Sequence, residues 1–83
     1  MNKIQFWNLK NYIRRLCLDS VKELCYNVGL NEYETSLLIH INRNDTRVHT
    51  AMTLGVSESK VTKDTRKIFL KINDYLKRNN LDI

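Results

Sequence analysis

Residues 47–66 read RVHTAMTLGVSESKVTKDTR, a short helix, a glycine turn and a longer basic helix at fixed offsets. A short helical pattern over 46–54 runs into Gly55, and a longer basic helix begins just after it, at 58. Two helices that touch across so tight a connection need a small residue at the contact, a residue that tolerates positive φ at the turn, and apolar residues pinning the second helix to the first. Ala51, Gly55 and the set Leu54, Val56 and Val61 supply these in order. Ser57 is a good N-cap for the second helix, because its hydroxyl can accept from the orphan amides of the first turn. The spacing is that of a helix-turn-helix.

Working toward the N-terminus, Asn42, Arg43, Asn44 and Asp45 form a polar cluster that ends one helix, and Asp45 or Thr46 can cap the next. Asn31-x-x-Glu34 has the capping-box pattern and predicts a helix over 32–43 with Leu37, Leu38 and Ile41 inward. Gly29 is a natural stop for the segment before it. There Ile13, Leu16, Cys17, Val21, Leu24, Cys25 and Val28 step by three and four, which predicts one helix over 3–28. Ser20-x-x-Glu23 offers an alternative break near residues 18–20, but the apolar stripe crosses it without changing face. Toward the C-terminus Val61, Ile68, Ile72, Tyr75 and Leu76 mark the inner side of a helix over 58–78. No strand pattern appears. The expectation is an all-α chain of about four helices, 3–28, 32–43, 46–54 and 58–78, forming a single domain over 1–83.

Composition narrows the function. Eighty-three residues with 42% hydrophobic content leave little space for a buried catalytic pocket. There is no nucleophile, base and orienter at workable spacing, no phosphate-cradling glycine loop and no hydrolytic carboxylate pair, so no enzyme is expected. Cys17 and Cys25 lie eight residues apart in a helical pattern, about 12 Å, and are expected as free thiols. With His40 and His49 they make no recognisable zinc spacing, so neither a metal nor any other cofactor is expected. His40, between Ile39 and Ile41, reads as a partly buried core residue. No uncharged stretch approaches the roughly 20 residues of a membrane helix, and no signal peptide is evident; a cytoplasmic protein, bacterial or phage-encoded, is expected.

Fourteen Lys and Arg against nine Asp and Glu give a charge of +5, which suits a polyanionic partner. Residues 57–71 hold five cations against two acids, so +3 of that charge sits on the element following the turn.

Over residues 30–72 the chain resembles the fourth conserved region of bacterial sigma factors and the related LuxR-type DNA-binding domain. Leu30-Asn31-Glu32-Tyr33-Glu34 followed by Leu37-Leu38 is similar to the opening helix of that family. Gly55-Val56-Ser57-Glu58-Ser59-Lys60-Val61 is similar to its turn and the start of its recognition helix. His49, Thr50 and Met52 depart from the family's acidic residue and aliphatic pair, and Asp64 and Thr65 from a frequent leucine. The resemblance implies a family-like unit over 30–79 with an N-terminal helical extension, 1–29, and double-stranded DNA as partner.

In the helix-turn-helix geometry the helix over 58–78 lies in the major groove. Ser57, Glu58, Ser59, Thr62, Lys63 and Arg66 would then face bases: Glu58 can accept from a cytosine amino group, Lys63 and Arg66 can donate to guanine or phosphate, and Thr62 can meet a thymine methyl. Arg43, Thr46, Arg47, His49, Lys60 and Lys67 are the expected phosphate contacts. Phe6 and Trp7, ringed by cations, are the candidate partner surface. A homodimer through the first helix, with Phe6, Trp7 and Ile13, or through the last, with Phe69, Ile72, Tyr75 and Leu76, is one expectation. Other readings from the same residues are a protein-interaction module for RNA polymerase or a sigma factor, and a DNA-recognition subunit of a phage packaging machine.

Overall fold

The computed structural model of the chain describes residues 2–80. Five helices follow one another: α1 (Lys3–Arg15), α2 (Leu18–Val28), α3 (Glu32–Asn42), α4 (Arg47–Leu54) and α5 (Glu58–Arg78). The described residues contain no strand. None of their helices is long and apolar enough to cross a membrane.

Local chemistry sets most of the boundaries. The Asn2 side chain accepts from the Gln5 amide while the Gln5 side chain accepts from the Asn2 amide, a reciprocal box that starts α1. Asn31 and Glu34 do the same for α3. Thr46 and Ser57 cap α4 and α5 through the His49 and Lys60 amides. Gly29 and Gly55 end α2 and α4 at φ +86° and +69°. At Gly55 the Val56 amide reaches back to the Ala51 carbonyl and the Gly55 amide to Met52, a Schellman closure that needs the left-handed conformation. A Cβ added to Gly55 would meet nothing within 4 Å, so the cost of a side chain there is backbone strain alone. Gly55→Val should therefore cost about 1–2 kcal/mol, a fall in Tm of roughly 5–15 °C, whereas Gly55→Asn should cost less than half as much. Equal losses for the two variants in thermal melts would contradict the strain account.

The single helix expected over 3–28 is two. Leu16 takes extended backbone (ψ 145°), Cys17 becomes the N-cap of α2, and Ser20 lies inside that helix rather than capping one. The break is held from outside: Nδ2 of Asn42, at the end of α3, donates to the carbonyls of Ile13 and Leu16 at 2.8 Å each. These bonds satisfy the Ile13 and Leu16 carbonyls, which a continuous helix would have paired with its own backbone amides.

α3 packs against all four other helices. Its Leu37 and Leu38 join Leu9, Ile13, Val21, Ile68, Phe69 and Ile72 in a fully buried centre. Ile13, Phe69, Ile72 and Leu76, expected on a dimer surface, are instead buried, and Phe69 is the largest of the fully buried side chains, with no exposed area. Its ring lies 4.8 Å from that of Phe6, which ties α1 to α5. Tyr75, expected inward, is only half-buried.

Candidate nucleic-acid interface

Two helix ends and one helix face bring the charged residues together. α4 and α5 meet at the Gly55 turn, and Val61, 6% exposed, and Ala51, 5% exposed, close the contact between them. This sends Ser57, Glu58, Ser59, Lys63 and Arg66 to the solvent, while Thr62 is half-buried. Ser59, Lys63 and Arg66 share one face by helical spacing.

Across the turn, Arg47 reaches from the first turn of α4 to α5. Its Nε lies 3.5 Å from Glu58 Oε1, and its Nη1 donates to Thr62 Oγ1 at 3.2 Å. Thr62 in turn donates to the Glu58 carbonyl. The residues assigned separately to bases (Glu58, Thr62) and to phosphate (Arg47) thus form one linked group, which orients Arg47 at the mouth between the helices.

Lys60 is committed elsewhere. Its Nζ lies 3.0 Å from Asp64 and 5.4 Å from the centre of the Tyr33 ring, while the Tyr33 hydroxyl donates to Asp64 at 2.7 Å. Lys71 pairs with Glu34 at 2.7 Å, a second clip between α3 and α5. The Tyr33 hydroxyl, joined by Lys60, holds the Asp64 carboxyl below its ordinary pKa despite partial burial. Glu34 is likewise lowered: burial pushes it up, but Lys71 and the Asn31 amide outweigh that. Burial and the adjacent carboxylate push the Tyr33 phenol up to about 12. Depressed carboxyls contribute stability that is present above about pH 4 and lost as pH falls through their folded-state values. The raised phenol contributes below about pH 10, a term lost as pH climbs through about 12. Asp64→Asn should flatten the acid limb in melts taken between about pH 5 and 2; an unchanged limb would show that the Tyr33–Asp64–Lys60 network does not set it.

Among the described residues, Lys63, Arg66 and Lys67 carry no ion pair, and all three are exposed. They are joined by two cations that the linear sequence left in the N-terminal extension. Lys10 and Arg14 of α1 line a cleft of about 370 Å³ with Arg47, Thr62 and Arg66, over a floor that includes Leu37, Val61 and Phe69. Arg14 Nε is buried there without a partner. Four cations and one acid, Asp45, therefore surround the start of α5. Their helical spacing places Lys10 and Arg14 on one face of α1, and the packing of α1 on α3 and α5, Phe6 against Phe69 included, turns that face toward α5.

The remaining assignments divide. Arg43 is exposed, with its Nε 3.8 Å from Asp45; Thr46 is spent on capping α4; His49 is exposed. Trp7 is 59% exposed beside exposed Ile4 and Leu70, whereas Phe6 is half-buried against the core, so Trp7 carries the candidate partner surface with little help from Phe6. Cys17 and Cys25 are free thiols. A hydrogen bond with Ser20 lowers the Cys17 thiol, and burial raises that of Cys25.

No protein-family model, curated protein or solved structure matches the chain.

Proposed function

We propose that the protein is a sequence-specific double-stranded DNA-binding regulator of transcription that places the first three turns of α5 in the major groove, with α4 and α5 as its helix-turn-helix. The observation that carries this reading is the convergence of unpaired Lys63, Arg66 and Lys67 on the exposed side of α5 with Arg47 across a glycine-closed turn. In this reading Ser59, Lys63 and Arg66 address base edges, and the Arg47–Glu58–Thr62 group opens on contact, so that Arg47 meets phosphate and Glu58 and Thr62 meet bases. Lys67, Lys10 and Arg14 add sequence-independent attraction to the backbone. Lys60, held by Asp64 and Tyr33, positions α5 and contributes to the field rather than reaching for a particular phosphate.

A second reading rests on a separate observation: Ile4, Trp7 and Leu70 leave apolar area exposed on the α1 side of the molecule. On that reading the chain docks on a protein such as RNA polymerase, and α5 is a solvated face. Selection of bound duplexes from a randomised pool at about 150 mM salt separates the two, because salt weakens the sequence-independent term. The DNA-binding reading predicts a recovered motif. Recovery of random sequence, with binding that is weak and lost with salt, contradicts it.

A further inference from the structure

We propose that His40, Asp45 and His49 form a binding site for a divalent cation of the zinc class at the corner between α3 and α4. The three side chains each offer one ligand atom, and these atoms lie within 4.8 Å of one another. The placement follows from backbone chemistry. α3 ends in a Schellman closure on Asn44, at φ +60°, with the Asp45 amide donating to the His40 carbonyl and the Asn44 amide to Ile41. That motif ordinarily brings together two apolar side chains, one from the last turn and one just past the helix. Here those two positions are His40 and Asp45, and Nδ1 of the imidazole lies 2.8 Å from the carboxylate. Thr46 then caps α4, which makes His49 the third helical residue, on the side facing back over the corner. Its ring stands edge-on to that of His40 with centroids 6.0 Å apart.

The donor set selects the ion. Two imidazoles and one carboxylate suit zinc, at about 2.0–2.2 Å from each ligand, and suit magnesium or calcium poorly because those ions prefer oxygen. Ligand atoms around a tetrahedral zinc lie about 3.3 Å apart, so closing the site requires movement of the exposed His49 rather than of the buried His40. One coordination position stays open. Arg43, whose Nε lies 3.8 Å from the Asp45 carboxylate, is 63% exposed and free to swing away. An ion here would lock the α3–α4 corner and with it Arg47, two residues before His49.

Isothermal titration of the metal-free, untagged chain with zinc chloride tests this with no DNA present, so its outcome is independent of the function proposed above. Cys17→Ser removes the competing exposed thiol. The expectation is one zinc per chain with a dissociation constant on the order of 1 µM, at least about tenfold weaker in His49→Ala, with no heat from magnesium chloride. Because His49 is exposed, that variant should keep the amide spectrum of the folded protein. Zinc should also shift the ring-nitrogen signals of both His40 and His49. Absence of zinc binding, equal affinity in His49→Ala, or ring signals that do not move would each overturn the proposal.

Discussion

Replacing Thr62, Lys63 and Arg66 together by alanine should reduce affinity for the selected duplex by about 100- to 10,000-fold while leaving the fold intact. A good base contact is worth about 1–3 kcal/mol of discrimination, and each 1.4 kcal/mol is tenfold. Thr62 and Lys63 are consecutive and Arg66 lies one turn further along α5, so their losses accumulate without being fully additive. Their cost to stability is small: Lys63 and Arg66 are exposed and without ion pairs, and Thr62 makes its bonds at the surface, to Arg47 and the Glu58 carbonyl. Surface changes of this kind usually stay within about 0.5 kcal/mol. Lys10→Ala with Arg14→Ala should behave differently, weakening binding to every duplex by a similar factor and reducing the salt slope by about two. Anisotropy titrations across salt distinguish the patterns. If the triple variant loses no more on the selected duplex than on random duplex, α5 does not read sequence.

The largest loss of stability should come from Phe69→Ala. Phe69 is fully buried and carries the contact through which Phe6 anchors α1. Truncation of a buried phenylalanine costs about 3–5 kcal/mol, against a total of about 4–12 kcal/mol for a chain of this length. The variant should melt more than about 15 °C lower. Phe6→Ala, at a half-buried site, should cost distinctly less. Chemical denaturation of the two variants provides the comparison, and similar losses would contradict the view that Phe69 is the centre of the core.

How far the sequence could be read depended on whether a feature was written locally. Asn31 with Glu34, Ser57, Gly29 and Gly55 act within a few residues of themselves, and their helix boundaries follow directly. Asn2-x-x-Gln5 is written in the same local code and starts α1 in the same way. The break at Leu16 and Cys17 is different: its cause, Asn42, lies 26 residues beyond Leu16, and the apolar stripe crosses the break unchanged. Phe69 steps three residues to Ile72 and four more to Leu76, at the edge of the inner stripe, and Phe6 from α1 packs over it. At the candidate site, the exposure of Ser59, Lys63 and Arg66 follows from helical spacing. The engagement of Lys60 with Asp64 and Tyr33, the reach of Arg47 to α5, and the approach of Lys10 and Arg14 are tertiary events without a local signature. The His40–Asp45–His49 corner falls between these cases, since a left-handed asparagine sets His40 against Asp45 and a threonine cap sets His49 beside them.

In the proposed function the start of α5 and the first turn of α4 are the surfaces that touch DNA. Amide shift mapping of the ¹⁵N-labelled chain, titrated with the selected duplex, tests this most directly. Perturbations should concentrate in Arg47 to Thr50 and Ser57 to Lys67, with a smaller set at Lys10 and Arg14. Perturbations confined to Ile4, Trp7 and Leu70, with the start of α5 unmoved, would contradict it.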